Sequence, residues 1–136
     1  MTDFVRKGRL FRVTAFNPSH RQLFLGSEAT PVEGITTRVE VYIGHVELML
    51  LKPLYSDGLH IRKATAAEFA VLSERHAIPA EDVEYTWMLE PEGGSFVVGA
   101  NPSWREAERA LMGDRESLYS GEPWPQDFPM ESGHVT

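Results

Sequence analysis

The sequence predicts an α+β protein: a mainly antiparallel curved sheet or half-barrel of about seven strands, in the order βββββαββα, with two helices and an extended C-terminal tail. Three observations predict it. Residues 9–63 repeatedly alternate apolar and polar side chains at the period of two that a half-buried strand requires. The period changes to three and four at Thr65 and returns to two at Val83. Most links between successive strands are too short for a parallel crossover, so antiparallel pairing dominates.

The elements follow in order. Residues 9–16 put Phe11, Val13 and Ala15 on one face and Leu10, Arg12, Thr14 and Phe16 on the other. Asn17-Pro18-Ser19 is a turn, and Leu23-Phe24-Leu25 runs on as a second strand to Gly26, giving a hairpin. Residues 27–34 contain Pro31 and Gly34 and read as a loop. The clearest strand is 35–43, with Ile35, Thr37, Val39, Val41 and Ile43 on one face and Thr36, Arg38, Glu40 and Tyr42 on the other. After a bend at Gly44, residues 46–51 form a more buried strand; Asp57-Gly58 then turns the chain into a fifth at 59–63.

Thr65-Ala66-Ala67-Glu68 fits a capping box, with the threonine hydroxyl and the glutamate carboxylate each satisfying a free N–H of the first helical turn. Phe69, Leu72 and His76 continue at helical spacing until Ile78-Pro79 stops the helix. Residues 83–89 return to strand, Glu90-Pro91-Glu92-Gly93-Gly94 turns, and 95–98 pair back. Asn101-Pro102 reads as the start of a second helix, with Trp104, Ala107, Ala110 and Leu111 as its buried stripe and Gly113 as its stop. Residues 1–113 thus form a single α+β domain, and 114–136 an acidic tail rich in proline and aromatic residues. The strand series with a closing C-terminal helix resembles pleckstrin-homology-like rolls in element order alone. The helix at 65–77 and the lack of a second basic residue two positions after Arg21 depart from that pattern.

Composition narrows the chemistry. With 136 residues, 42% apolar and 24% charged, the chain is long enough to bury a core without disulfide or metal staples. It has no cysteine, which removes disulfide scaffolds, thiolate metal sites and a cysteine nucleophile. A net charge of −7 is the wrong sign for a nucleic-acid binder. No apolar run approaches the ~20 residues of a bilayer span and no leader pattern opens the chain, so a cytoplasmic protein without integral membrane association is expected. Arginine supplies ten of the thirteen basic residues, which fits a GC-rich bacterial or phage genome. Charge is also uneven: Arg6, Lys7, Arg9, Arg12 and Arg21 face only Asp3 within residues 1–26, while the remainder is strongly acidic.

No metal-binding spacing joins His20, His45, His60, His76 and His134, and neither a serine-nucleophile elbow nor a phosphate loop occurs. The reading therefore leans away from an enzyme, and no cofactor or metal is expected. If the strands at 46–51 and 59–63 pair as a hairpin, His45, Glu47, His60 and Arg62 share a polar face; with Tyr42 and Trp87 they make a possible ligand pocket. In the tail, Tyr119, Trp124, Phe128 and Met130 are candidate partner-binding residues, because aromatics dominate interface hot spots. The tail either covers the domain's own apolar surface or docks on another protein or a second copy of the chain. The resulting expectation is a small protein-interaction module of regulatory, inhibitory or immunity type, acting through an acidic surface and an aromatic tail. The alternatives are a small-molecule-binding or catalytic pocket between sheet and helices, and a structural subunit of a phage particle or other symmetric assembly.

Overall fold

The alternating segments become strands, and these sort into two antiparallel sheets. A computed structural model describes residues 2–108, 117–119 and 130–136. In chain order the strands are β1 (Phe4–Lys7), β2 (Phe11–Asn17), β3 (Gln22–Ser27), β4 (Thr37–Ile43), β5 (Leu48–Leu50), β6 (Leu54–Tyr55) and β7 (Gly58–Lys63), then β8 (Thr86–Met88), β9 (Phe96–Val98), β10 (Ser103–Glu108) and β11 (Met130–His134). The helix α1 (Ala66–His76) lies between β7 and β8 and is followed by a 3-10 segment, Ala80–Tyr85. One sheet has the order β1-β7-β8-β9-β5, the other β11-β10-β4-β3-β2-β6. The α+β class and the antiparallel pairing are as the sequence predicts.

The sheets share one core. Phe4, Leu59, Ile61, Trp87 and Val97 from the first meet Phe11, Leu23, Leu25, Val39, Val41 and Ile43 from the second. Trp87 is fully buried there, and its indole N–H donates to the Gly99 carbonyl at 3.0 Å, so no polar atom of the ring is left without a partner. A second cluster lies on the other side of the first sheet, where Phe69 and Leu72 of α1 pack on Leu48, Met88, Phe96 and Val98. The order of layers is therefore helix, five-stranded sheet, six-stranded sheet. α1 starts as its sequence demands: the Thr65 hydroxyl accepts from the Glu68 N–H at 3.2 Å and the Glu68 carboxylate accepts from the Thr65 N–H at 2.9 Å.

Three expectations change. The helix predicted from Asn101-Pro102 is strand over its described part: β10 runs between β4 and β11, pairing Trp104 with Val41 on one side and with Gly133 on the other. Trp104 and Glu106 alternate with Arg105 and Ala107 as well as they fit a helix, and two flanking strands outweigh the local N-cap signal. Gly133 is required at that register, since a Cβ there would lie 2.7 Å from the Trp104 indole nitrogen. The closing helix on which the likeness to pleckstrin-homology-like rolls rested is thus absent from 103–108. Second, a β-bulge between Val13 and Ala15 breaks the alternation of β2. Ala15 pairs with outward Phe24 while Phe16 pairs with the core residue Leu23, which reverses the faces read for both. Third, the tail contributes β11, with Val135 buried beside it.

Two residues of the N-terminal basic cluster, Arg6 and Arg9, are drawn into the structure, while Lys7, Arg12 and Arg21 stay exposed. Arg9, 9% exposed, donates to the Ser27 hydroxyl at 2.7 Å and to the Thr37 carbonyl at 2.7 Å. Glu106 accepts from the Thr37 hydroxyl at 2.7 Å and from Arg6 Nε at 3.1 Å, with Arg9 at 3.8 Å. Burial lowers the pKa of Arg9, and the Glu106 carboxylate opposes that shift. Arg9→Ala is expected to destabilise the fold by about 3 kcal/mol, because its partners lose a hydrogen-bonded charge in a nearly dry site. Urea denaturation of the variant measures this, and a loss under about 0.5 kcal/mol would contradict the role assigned to Arg9.

Candidate functional site

The sequence-derived pocket residues do not come together. β5 and β7 are separated in their sheet by β8 and β9, so the hairpin that was to unite His45, Glu47, His60 and Arg62 does not form. His60 and Arg62 remain on one face of β7, each with a carboxylate: His60 Nε2 lies 2.9 Å from Asp3 Oδ2, and Arg62 donates to both Glu68 oxygens at 2.7 and 2.8 Å. Trp87 is core rather than pocket lining. Tyr42 lies on the outer face of the six-stranded sheet, its ring centroid 5.1 Å from Phe24 and 5.5 Å from Tyr119.

Residues 117–119 cover part of that outer face. Leu118 is fully buried on it, its N–H and the Ser117 hydroxyl both donate to the Glu40 carboxylate, and Arg105 donates to the Leu118 carbonyl at 2.9 Å. The Tyr119 hydroxyl sits 3.0 Å from Ser103 Oγ, and its ring stacks under the Arg105 guanidinium at 4.1 Å. Burial pushes the Tyr119 phenol up to about 12. Of the candidate partner-binding residues, Tyr119 is therefore engaged internally and Met130 is part of β11. Trp124 and Phe128 lie outside the described residues.

The described residues leave several concave regions, among them hollows of about 330 Å³ beside Phe24, Glu40 and Ser117 and about 290 Å³ beside Thr37 and Met130. Two others hold residues singled out from sequence. The first, about 450 Å³, opens where the turn between β6 and β7 meets the turn after β8; Lys7, Lys52, Tyr55, His60, Glu90 and Glu92 are among its walls. Two of its wall residues are linked through buried Ser95: Tyr55 OH donates to Ser95 Oγ at 2.9 Å, and Ser95 Oγ to Glu90 Oε2 at 3.1 Å. Lys52 Nζ donates to Glu90 Oε1 at 2.7 Å, a bond that raises the lysine pKa at this exposed position.

The second region collects more unusual backbone. Two adjoining hollows of about 250 and 260 Å³ share Glu47, Asp82 and Val98. Arg21, His45 and Ala77, the non-glycine residues with positive φ among those described, have φ of 53°, 50° and 55°. All three adjoin these hollows: Arg21 forms an ion pair with Glu47, His45 stands on the rim, and Ala77 ends α1 at the wall. Such conformations cost on the order of 1 kcal/mol for a residue with a Cβ and cluster where a site is being shaped. His45 adjoins the close passage of two crossovers, where the Ala100 N–H donates to the Gly44 carbonyl at 2.9 Å and a Cβ on Gly99 would lie 2.9 Å from that oxygen, while Ala77 is the C-cap of α1. His45 and Glu47 were candidates from sequence. His76, Asp82 and Tyr85 were not, because they arrive from the helix end and the 3-10 segment, for which nothing in the sequence signals contact with residues 45–47.

The Arg62 guanidinium beside Glu68 holds that carboxyl down at about 2, from an ordinary 4.5. Its folded-state pKa is depressed, so the stabilisation is fully present above pH 4.5 and is lost as the pH falls through about 2. Glu68→Gln is expected to lose about 1 kcal/mol at neutral pH and to show a shallower acid limb in denaturation curves between these two values. An acid limb identical to the parent's would refute the linkage.

No protein-family model, curated protein or solved structure matches the chain.

Proposed function

We propose that the chain is a small protein-interaction module of regulatory, inhibitory or immunity type that works through its acidic surface on a basic partner. The supporting observation is how folding distributes charge. Arg6 and Arg9 turn inward to Glu106, Arg38 is buried against Glu28, and Arg62 is held by Glu68. Of the N-terminal basic residues, Arg6 and Arg9 are thus neutralised internally, while Lys7, Arg12 and Arg21 stay exposed. Exposed acids remain, among them Glu33, Glu74, Glu81, Glu84, Glu92 and Glu131, with Lys7, Arg12, Arg21, Lys52 and Arg75 as the exposed basic side chains of the described residues. Such a surface steers a basic protein into encounter and repels acidic ones. The exposed Tyr85 and Val71, at 48% and 49%, supply apolar contact beside the acids. In this reading Trp124 and Phe128 of the C-terminal segment add the aromatic contacts for which the tail was singled out.

Selection of a random peptide library on the immobilised full-length chain tests the proposal. The expected outcome is enrichment of arginine- or lysine-rich sequences whose binding falls steeply with salt. Enrichment of acidic or uncharged sequences, or none at all, would overturn it.

The 450 Å³ cleft favours a second reading, a small-molecule site, since it has the size of ligand pockets and is lined by both signs of charge, Lys7 and Glu92 beside the Lys52–Glu90 ion pair. A zwitterionic ligand such as a free amino acid fits that charge pattern. Thermal-shift screening of the twenty amino acids is expected to raise the melting temperature for at least one, and Lys52→Met to abolish the rise. A flat screen would remove this reading.

A further inference from the structure

The two hollows that share Glu47 and Asp82 form one groove with an apolar floor and an acidic rim. The floor is Val98 and Ile78, both buried, with half-buried Leu48. The rim carries the Glu47 carboxylate, 58% exposed even with Arg21 attached, the Asp82 carboxylate and the exposed ring of Tyr85. Among the described residues Asp82 takes part in no ion pair. The C-terminus of α1 ends at the wall through His76 and Ala77, so the negative end of its dipole faces the same space.

Each of these features favours the same occupant. Two carboxylates and a helix C-terminus attract a cation, an apolar floor accepts an aliphatic stem, and an aromatic ring accepts a flat guanidinium. We infer that the groove receives one arginine side chain of the partner protein, its methylenes on Val98 and Ile78 and its guanidinium between Glu47 and Asp82 beside Tyr85. The inference rests on the interaction-module reading and gives that reading a recognition site. Arginine suits the groove better than lysine because its planar fork can engage two carboxylates at once and stack on tyrosine. The strained backbones of Arg21 and His45 then have a use: His45 sets the path of the chain two residues before Glu47, and Arg21, in the turn between β2 and β3, holds the Glu47 carboxylate at the rim. The Val46 N–H, which donates to the Arg21 carbonyl at 3.0 Å, ties those two turns together.

The test is titration of the isotopically labelled full-length chain with N-acetyl-arginine amide, followed by amide NMR shifts, with N-acetyl-citrulline amide as the uncharged isostere. Expected are saturable shifts at Glu47, Ala77, Asp82 and Gly99 for arginine, weakened about tenfold or more with citrulline and in the Glu47→Gln, Asp82→Asn double variant. The variant's own spectrum reports whether it is folded; both changes are isosteric and lie at the rim, away from the core. Equal shifts with citrulline, or arginine shifts unaffected by the double variant, would overturn the inference. Arginine shifts confined to other acidic positions would overturn the groove while leaving the interaction-module reading standing. That reading fails separately, if library selection yields no basic sequence.

Discussion

The two sheets are joined at one edge by a charge network, and much of the architecture is arranged around it. Arg6 belongs to the five-stranded sheet and Glu106 to the six-stranded sheet, and their side chains meet at 3.0 Å on the inward side. Arg9, on the crossover from β1 to β2, adds bonds to the end of β3 at Ser27 and to the start of β4 at Thr37. The guanidinium planes also lie over aromatic rings, Arg6 over Trp104 at 4.9 Å and Arg9 over Phe11 at 6.0 Å. A charge this far from water requires such partners, because unpaired burial would cost several kcal/mol. The network consequently fixes the register of β10, since only one register presents Glu106 to both arginines.

With that edge closed, the outer sides of the two sheets are each covered in part, by different devices. α1 covers the outer side of the five-stranded sheet over β8, β9 and β5 and leaves the β7 end to His60 and Arg62 with their carboxylate partners. The outer side of the six-stranded sheet is polar by sequence, with Arg38, Glu40 and Tyr42 in alternation, yet Arg38 and Glu40 are buried. Glu40 is satisfied by the backbone N–H of Leu118 and the hydroxyl of Ser117, so a carboxylate on a sheet face becomes the anchor of a chain segment 78 residues away. The fully buried Leu118 adds the apolar component of that anchor.

The concave sites that hold His60 and Glu47 lie where crossovers and turns meet. The groove at the end of α1 exists because β4 leaves one sheet at Gly44 and β9 leaves the other at Gly99, and the two backbones pass in contact. Side chains from four segments then line one space without belonging to one element. The acidic character of that space and the internal pairing of the arginines are two sides of one arrangement: basic groups near the N-terminus stabilise the sandwich, and acids left over determine the surface.

How much of this was legible depends on the range of the interaction involved. The alternation of residues 37–43, the β2–β3 hairpin and the capping box of Thr65 and Glu68 rest on near neighbours, and the sequence by itself determined them. It also determined the α+β class, since the change of period at Thr65 is local. The bulge in β2, the split into two sheets and the placing of β10 as strand were decided by tertiary structure. Residues 103–108 carry a good helix start and an equally good alternation, and only the open edges of β4 and β11 choose between them. The candidate site divides the same way. His45 and Glu47 were singled out as alternate residues of an extended chain, a premise that the left-handed backbone of His45 overturns, whereas Asp82, Tyr85 and His76 come to them from the 3-10 segment and the end of α1. Local propensity is worth tenths of a kcal/mol per residue, while burial and strand pairing are summed over whole faces, and that difference decides what one sequence can announce about its own fold.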